Sequence, residues 1–383
     1  MRIALIMPGF SANDQDWCIP ALFNLTCGLA QAHEVVVFAL RYPYRRGTYT
    51  LNGAQVHALG GGLTRGVGRA RLWGRALAAL QRASAEKPFD VIHAFWADEP
   101  GFLATLAGRR LRTPVVVSLM GGELACLPDI GYGGRLNRWN NWLTRWSLRR
   151  AERVTAGSHW LAQMALDLGY APIRPIWLPL GVDTRMFRPN PFLPPRPSPG
   201  RQLLCVASLL PVKDHATLLR ALALTPKCRL DIVGNGPLRA ELKELATRLD
   251  VGARVTWRGE VLHGQVPALY RAADLHVLAS RHESQSMATL EAAACGTLCV
   301  GTAVGILPEL TPAAGLAAPG DVAGLARAIQ WGLGDSAERR AAAQSAPVKA
   351  RILYSLEAAQ TRQQVLYAGL IDGLPLLSED KTA

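Results

Sequence analysis

The chain is predicted to be an α/β protein of two doubly wound halves, each a parallel sheet between layers of helices. Apolar strand patterns alternate with amphipathic helix patterns through residues 1–188, and the same alternation restarts at residue 201. A stretch too rich in proline for either element, PNPFLPPRPSPG at 189–200, divides the two series and reads as a stiff linker. Strand–helix alternation is the rhythm of a parallel sheet covered on both faces. At 383 residues the chain is long enough for two such cores.

In the first series the patterns place strands at 2–7, 34–40, 89–94, 114–119 and 153–156, with helices near 19–32, 68–84, 100–109, 137–151 and 158–168. In the second, strands fall at 202–207, 229–233, 254–257, 274–278 and 297–300, with helices near 214–224, 237–249, 265–272, 286–295 and 321–333. A last amphipathic helix is expected over YSLEAAQTRQQVLYAGLI, 354–371. The domains expected from this are 1–188, the linker 189–200, 201–350, and a C-terminal helix and tail at 351–383.

Hydrophobic residues make up 49% of the chain and charged residues 19%, the balance of a globular protein. No apolar run approaches the roughly 18 residues that would span a bilayer. The segment Ile3–Met7, ended by Pro8-Gly9, reads as a strand and lacks the long apolar region and cleavage site expected of a secretory leader. Seven cysteines without a Cys-x-x-Cys pair read as reduced core residues of a cytoplasmic protein. The charge is uneven: residues 1–200 hold 23 Lys and Arg against 12 Asp and Glu, a net +11, while residues 201–383 hold 19 against 17, a net +2. A basic first half points to a polyanionic partner, such as a phosphorylated acceptor or the anionic inner face of a membrane to which the chain attaches peripherally. Nucleic acid is not expected, because no binding motif is present.

The stretch LHVLASRHESQSMATLEAAACGTLCVGTAVGILPE, 275–309, reads as strand, polar elbow, helix and strand. Ligands of open parallel sheets bind beyond the carboxyl ends of the strands, where this elbow lies. Glu283 falls in the elbow and Glu291 eight residues on; on a single helix they would be about 80° and about 12 Å apart. A ligand as long as a nucleotide sugar can touch both. Amides at the helix start, at Gln285, Ser286 and Met287, would point at its phosphates.

Together with LEAAACG and the G-T-A-x-G-x-x-P-E turn that follows, this run resembles the Glu-x7-Glu signature of retaining glycosyltransferases of family 4. VASLLPVKDH (206–215) resembles the family's V-G-R-L-x-x-x-K-G-x, and LDIVGNGPLRAEL (230–242) its glycine turn. FDVIHAFWADEPG (89–101), PVVVSLMGGE (114–123) and LPLGVDTRMFRP (178–189) resemble first-half segments. The resemblance implies a GT-B fold: two Rossmann-like domains facing a cleft, with the C-terminal helix crossing back to the first. It implies transfer of a sugar, with retention, from a nucleotide-diphosphate sugar to a glycan, lipid-linked or small-molecule acceptor, without a cofactor or metal. In that scheme Lys213 and Glu283 carry catalysis. Lys213 neutralises the diphosphate, Glu283 touches the sugar and the positively charged transition state, and Glu291 holds the ribose hydroxyls. Gly234 and Gly236 let the backbone approach the base or ribose.

Several positions depart from the family pattern. Ser208 replaces an arginine of the phosphate clamp, and Arg281 beside the elbow is the candidate to compensate. Gly9 alone remains of a glycine pair near the donor phosphates. Phe95 and Met120 stand where histidines are common, which leaves His93 and Glu123 as acceptor-side candidates. These departures keep open a catalytically silent nucleotide-sugar-binding protein, and a sugar-nucleotide epimerase or sugar-phosphate enzyme of the same fold is the other alternative.

Two arginine-rich helices stand apart. Trp139, Trp142 and Trp146 form one stripe of the helix in 133–150, expected to face the core. For 65–82, core packing and a membrane interface are equally compatible with the pattern.

Overall fold

The computed structural model describes residues 1–16, 18–172, 174–190 and 201–373. Most of the expected linker, 191–200, and the tail 374–383 lie outside the described residues.

The first half runs β1 (Arg2–Gly9), α1 (Pro20–Ala30), β2 (Glu34–Tyr42), β3 (Arg46–Leu51), β4 (Ala54–Leu59), α2 (Gly66–Glu86) and β5 (Val91–Phe95). It continues through α3 (Glu99–Leu111), β6 (Val115–Leu119), α4 (Arg138–Leu148), β7 (Arg153–Ala156), α5 (His159–Asp167) and β8 (Ile176–Trp177). These strands form one sheet in the order β3-β4-β2-β1-β5-β6-β7-β8, parallel except for the β3–β4 pair. Strand alternation sends Ile3, Leu5 and Met7 to one side and Ala4 and Ile6 to the other, and both sides are core. That is why β1 reads as a continuous apolar run.

The second half runs β9 (Gln202–Val206), α6 (His215–Ala223), β10 (Arg229–Val233), α7 (Arg239–Arg248), β11 (Val255–Gly259), α8 (Val266–Ala272) and β12 (Leu275–Leu278). After these come α9 (Met287–Ala294), β13 (Leu298–Thr302), α10 (Leu307–Leu310), β14 (Leu316–Ala317), α11 (Val322–Gly332), α12 (Ala337–Leu353) and α13 (Leu356–Ile371). Its sheet is parallel, in the order β11-β10-β9-β12-β13-β14. The GT-B layout is therefore present: two Rossmann-like sheets, with α13 packed back on the first domain. Val182 N donates to Tyr354 O at 2.8 Å and Leu356 N to Val182 O at 2.9 Å, which pins the crossing point. Beyond it α13 rests against α1 and buries Leu366 and Tyr367 in the first core.

Besides the short β8, α10 and β14, three features differ from the sequence expectation. The β3–β4 hairpin was not anticipated, because its edge strand RGTYTL is exposed and nearly without apolar alternation. Helix α12 buries only Ala342, Ala346 and Ala350 and contains Pro347, so its apolar stripe is weak. The tryptophan stripe of α4 turns inward only at its last residue, Trp146, which is half-buried against Phe102. Trp139 is 49% exposed and Trp142 42%, while Leu143, Thr144, Ser147 and Leu148 make the buried face against α3. Small and polar residues can fill that face because α3 approaches closely there: a Cβ on Gly101 would meet Ser147 Cβ at 3.0 Å. No helix among the described residues is long and apolar enough to cross a membrane.

Candidate active site

β12 delivers the chain to the carboxyl edge of the second sheet, where an elbow of buried polar residues follows. Thr302 Oγ1 donates to Ser280 O at 2.7 Å, and Arg281 N donates to Val212 O at 2.8 Å. Ile306 N donates to Gln285 O at 2.9 Å, so the turn after β13 braces the elbow from behind. The elbow closes on Ser286, whose φ of 76° lies in the left-handed region a serine rarely adopts. Helix α9 starts one residue later.

Glu283 is the centre of this turn. Its Oε1 accepts from Lys213 Nζ at 2.6 Å and from Ser280 Oγ at 2.6 Å. Glu291, on α9, accepts from Tyr270 OH at 3.1 Å, and its Oε1 lies 3.2 Å from His263 Nε2. Both carboxylates line a cavity of about 350 Å³ between the two domains, a size suited to a small ligand. Gln285, Ser286 and Met287 line it from the same side, and Asn24, Trp96, Ser118, Met120 and Thr155 from the first domain.

First-domain loops grip the elbow directly. Ser158 Oγ donates to Ser284 O at 2.6 Å. The Gln285 side chain accepts from Leu180 N at 2.8 Å and donates to Leu180 O at 2.6 Å. His282 Nε2 sits 2.8 Å from Gly121 O; a carbonyl only accepts, so this nitrogen carries the proton. Burial lowers the pKa of His282, which favours the same neutral ring. Trp96 holds a φ of 76° at the cavity wall, a strained conformation for so bulky a residue.

Two family models match the chain. "Glycosyl transferase 4-like domain" covers residues 20–181, and "Glycosyl transferases group 1" covers residues 190–349. The chain is a GT-B protein related to the group 1 glycosyl transferases. It is 35% identical over 170 residues to the D-inositol 3-phosphate glycosyltransferase of Mycobacterium bovis, covering 41% of this chain and 35% of that protein. It is 31% identical over 178 residues to a phosphatidylinositol N-acetylglucosaminyltransferase component from Arabidopsis thaliana, covering 45% of this chain and 39% of that protein. The matched stretch thus spans under two fifths of these relatives' lengths. Among solved structures, sucrose-phosphate synthase from Thermosynechococcus elongatus superposes with a TM-score of 0.76 at 20% identity, covering 97% of this chain and all of that one. Anabaena HepE, in complex with UDP and glucose, gives 0.73 at 19% identity, covering 96% and 99%. These two likenesses concern the fold.

In this GT-B chain the other expected site residues are not among those lining the cavity. Lys213 reaches it through Glu283. Arg281 turns across the cleft to pair with both carboxylate oxygens of Asp129, one of them at 3.1 Å, rather than toward a phosphate site. Gly234 and Gly236 do serve a close approach, but to the chain's own backbone. A Cβ on Gly234, whose φ is +135°, would meet Ala207 O at 2.0 Å, and one on Gly236 would meet Leu209 O at 2.6 Å. They seat the loop after β9 that contains Ser208 and leads to Lys213. Gly9 packs against Tyr42 and Cys18.

The two acceptor-side candidates lie beneath the cavity wall rather than on it. His93 is fully buried, with Nδ1 2.7 Å from Tyr367 OH and 2.9 Å from Gln363 Nε2, and Nε2 2.7 Å from Ser118 Oγ. Burial pushes its pKa down to about 3, so it is a neutral clasp for α13. Glu123 Oε1 accepts from Met120 N at 2.8 Å and Ala97 N at 3.3 Å, tying together the two loops that form the wall. Burial first, and the charge of Asp98 second, raise its pKa to about 7. Sequence reasoning missed Tyr270 and His263 as the partners of Glu291, and Trp96 as a wall residue. No local pattern links Tyr270 to Glu291; they meet because α8 packs on α9. Among the described residues, no group of three or more His, Cys, Asp or Glu is placed to hold a metal ion.

Proposed function

We propose that the chain is a retaining glycosyltransferase that moves a sugar from a nucleotide-diphosphate sugar to a glycan, lipid-linked or small-molecule acceptor. The observation that carries this reading is the meeting of Glu283 and Glu291 in one interdomain cavity, with Lys213 bonded to Glu283. In this reading the donor lies along the 201–350 unit and the acceptor enters from the 1–188 unit. Glu291 orients the ribose, and the amides at Gln285–Met287 face the diphosphate. The bond from the anomeric carbon to the diphosphate oxygen breaks while an acceptor oxygen bonds to that carbon on the same face. The acceptor's proton passes to the departing phosphate oxygen. Lys213 and Arg281 are the cations nearest the elbow, and both are engaged with carboxylates, so donor binding competes with Glu283 and Asp129 for them. We also infer that the basic first half attaches the protein peripherally to an anionic membrane surface.

The test is thermal stability against UDP, GDP, ADP and dTDP compounds, followed by transfer of labelled sugar. A ligand at about 100 times its Kd stabilises by about 2.7 kcal/mol, a shift of a few degrees. Transfer of label to a separate acceptor supports the reading. Donor binding without transfer would favour the silent binding protein, and a changed sugar on the same nucleotide would favour an epimerase. The engagement of Arg281 by Asp129, with Ser208 in place of an arginine, is the observation that keeps the silent reading in the test.

A further inference from the structure

Helices α2 and α4 lie on either side of α3, and together they present a surface unlike the rest of the molecule. Residues 35–85 hold eight arginines and residues 130–151 five, and neither stretch contains an Asp or Glu. Apolar side chains stand out among them: Leu63 is 91% exposed and Val67 70%, in addition to the half-exposed Trp139 and Trp142. The tryptophans are not loose. Trp139 stacks on Trp142 with centroids 5.0 Å apart and on Trp73 of α2 at 6.4 Å, and Phe102 of α3 backs Trp142 at 5.8 Å. The result is a preformed aromatic shelf held in place by its own stacking.

Beside the shelf is an open pocket of about 530 Å³, lined by Arg41, Leu63, Arg65, Arg69, Asn137 and Asn140 together with Thr64 and Gly66. Arg41 and Arg69 are fixed by the buried Glu99, which Arg41 Nε meets at 2.7 Å and Arg69 Nε at 3.0 Å, while Trp73 Nε1 donates to the same carboxylate at 2.7 Å. One carboxylate thus orients two guanidiniums without matching their charge. Arg65, exposed at the start of α2, forms no ion pair among the described residues and adds a third. Guanidiniums in a fixed array and an uncapped helix start suit a phosphate group. A water-soluble phosphate would have no use for the apolar rim of leucine, valine and tryptophan, whereas a headgroup at the surface of a bilayer is flanked by such a boundary.

We propose that this face docks on an anionic lipid bilayer, seating a lipid phosphate in the Arg41–Arg65–Arg69 pocket and placing Leu63, Val67, Trp139 and Trp142 at headgroup depth. The proposal rests on the membrane attachment inferred above and assigns its surface. Glu99 begins α3 three residues after Trp96, which lines the cavity, so the docked face and the cavity share one edge of the first sheet.

The test is co-sedimentation of the full chain with vesicles of phosphatidylcholine alone or with about 30% phosphatidylglycerol, using Arg65→Ala and the pair Trp139→Ser with Trp142→Ser. These side chains are exposed, and unchanged melting temperatures verify folding. Wild type is expected to favour the anionic vesicles by about tenfold; Arg65→Ala should lose about fivefold of that, and the tryptophan pair most of it. If wild type binds anionic vesicles and both variants bind equally well, this surface is wrong and the membrane reading survives. If wild type ignores anionic vesicles, both are wrong, and the donor-site reading is untouched. Stabilisation by inorganic phosphate that is lost in Arg65→Ala, without vesicle binding, would replace the lipid with a soluble phosphate.

Discussion

Glu283 and Glu123 invite comparison across the two halves: each is a buried carboxylate in a loop just beyond the carboxyl end of a strand, β12 or β6. Glu283 has Lys213 and Ser280 as its partners and faces the cavity. Glu123 has two backbone amides instead of a cation, and it points into the protein beneath the cavity wall. The same contrast runs through the halves. The second domain places two carboxylates, Glu283 and Glu291, at the cavity, while the first uses His93 and Glu123 to hold its own loops and the returning α13. A buried carboxylate is therefore a functional marker only when its direction and its partners are known.

The contrast can be tested most severely at the second domain. Lys213→Ala, Glu283→Gln and Glu291→Ala should each lower sugar transfer by about 10²–10³-fold, because in the proposed function each removes a group that acts on the bound donor or its transition state. Circular dichroism should stay that of a folded protein, with a lower melting temperature for Lys213→Ala because the buried Glu283 loses its cation, and wild-type turnover by folded variants would remove these residues from the site. In the first domain the effect should fall on stability instead. His93→Ala leaves Tyr367 and Gln363 without their shared acceptor, a cost of about 1–3 kcal/mol in urea unfolding. Tyr367→Phe should lose less, since one hydroxyl bond is worth about 1 kcal/mol.

Glu123 supplies a pH test. With its folded pKa raised to about 7, the folded state binds more protons than the unfolded state above the ordinary glutamate range. Its contribution to stability is fully present below that range, declines as pH rises, and is lost once pH passes about 7. Glu123→Gln should flatten this decline in melting temperature between pH 5 and about 8, and an unchanged slope would place the titrating group elsewhere. The smallest effect is expected from Asp129→Asn. The Arg281–Asp129 pair is exposed on the Asp side, so stability should hardly change, but a released Arg281 should lower the donor KM modestly. An unchanged KM would make Arg281 a domain-closure contact alone.

Some parts of this molecule were legible residue by residue. The β12–elbow–α9–β13 unit announces itself because its strand period, helix period and Gly296 stop all lie within one short segment. The expected helix began at 286, but Ser286 takes a left-handed conformation and α9 starts at Met287. Helix α12 and the β3–β4 hairpin were not legible, since neither carries a strong apolar period. The tryptophan stripe departs from expectation at Trp139 and Trp142: periodicity shows that Trp139, Trp142 and Trp146 share a side of α4, not which neighbour that side meets.

The sequence by itself determined the alternation that makes two parallel sheets and the eight-residue spacing that brings Glu283 and Glu291 to the mouth of one strand. These follow from contacts between residues close in the chain. Only the tertiary structure decided that Lys213 bonds Glu283 across 70 residues, that His93 clasps Tyr367 across 274, and that Arg281 pairs with Asp129 across 152. Such choices depend on which side chains packing and desolvation bring together from distant parts of the chain, and local periodicity carries no record of them.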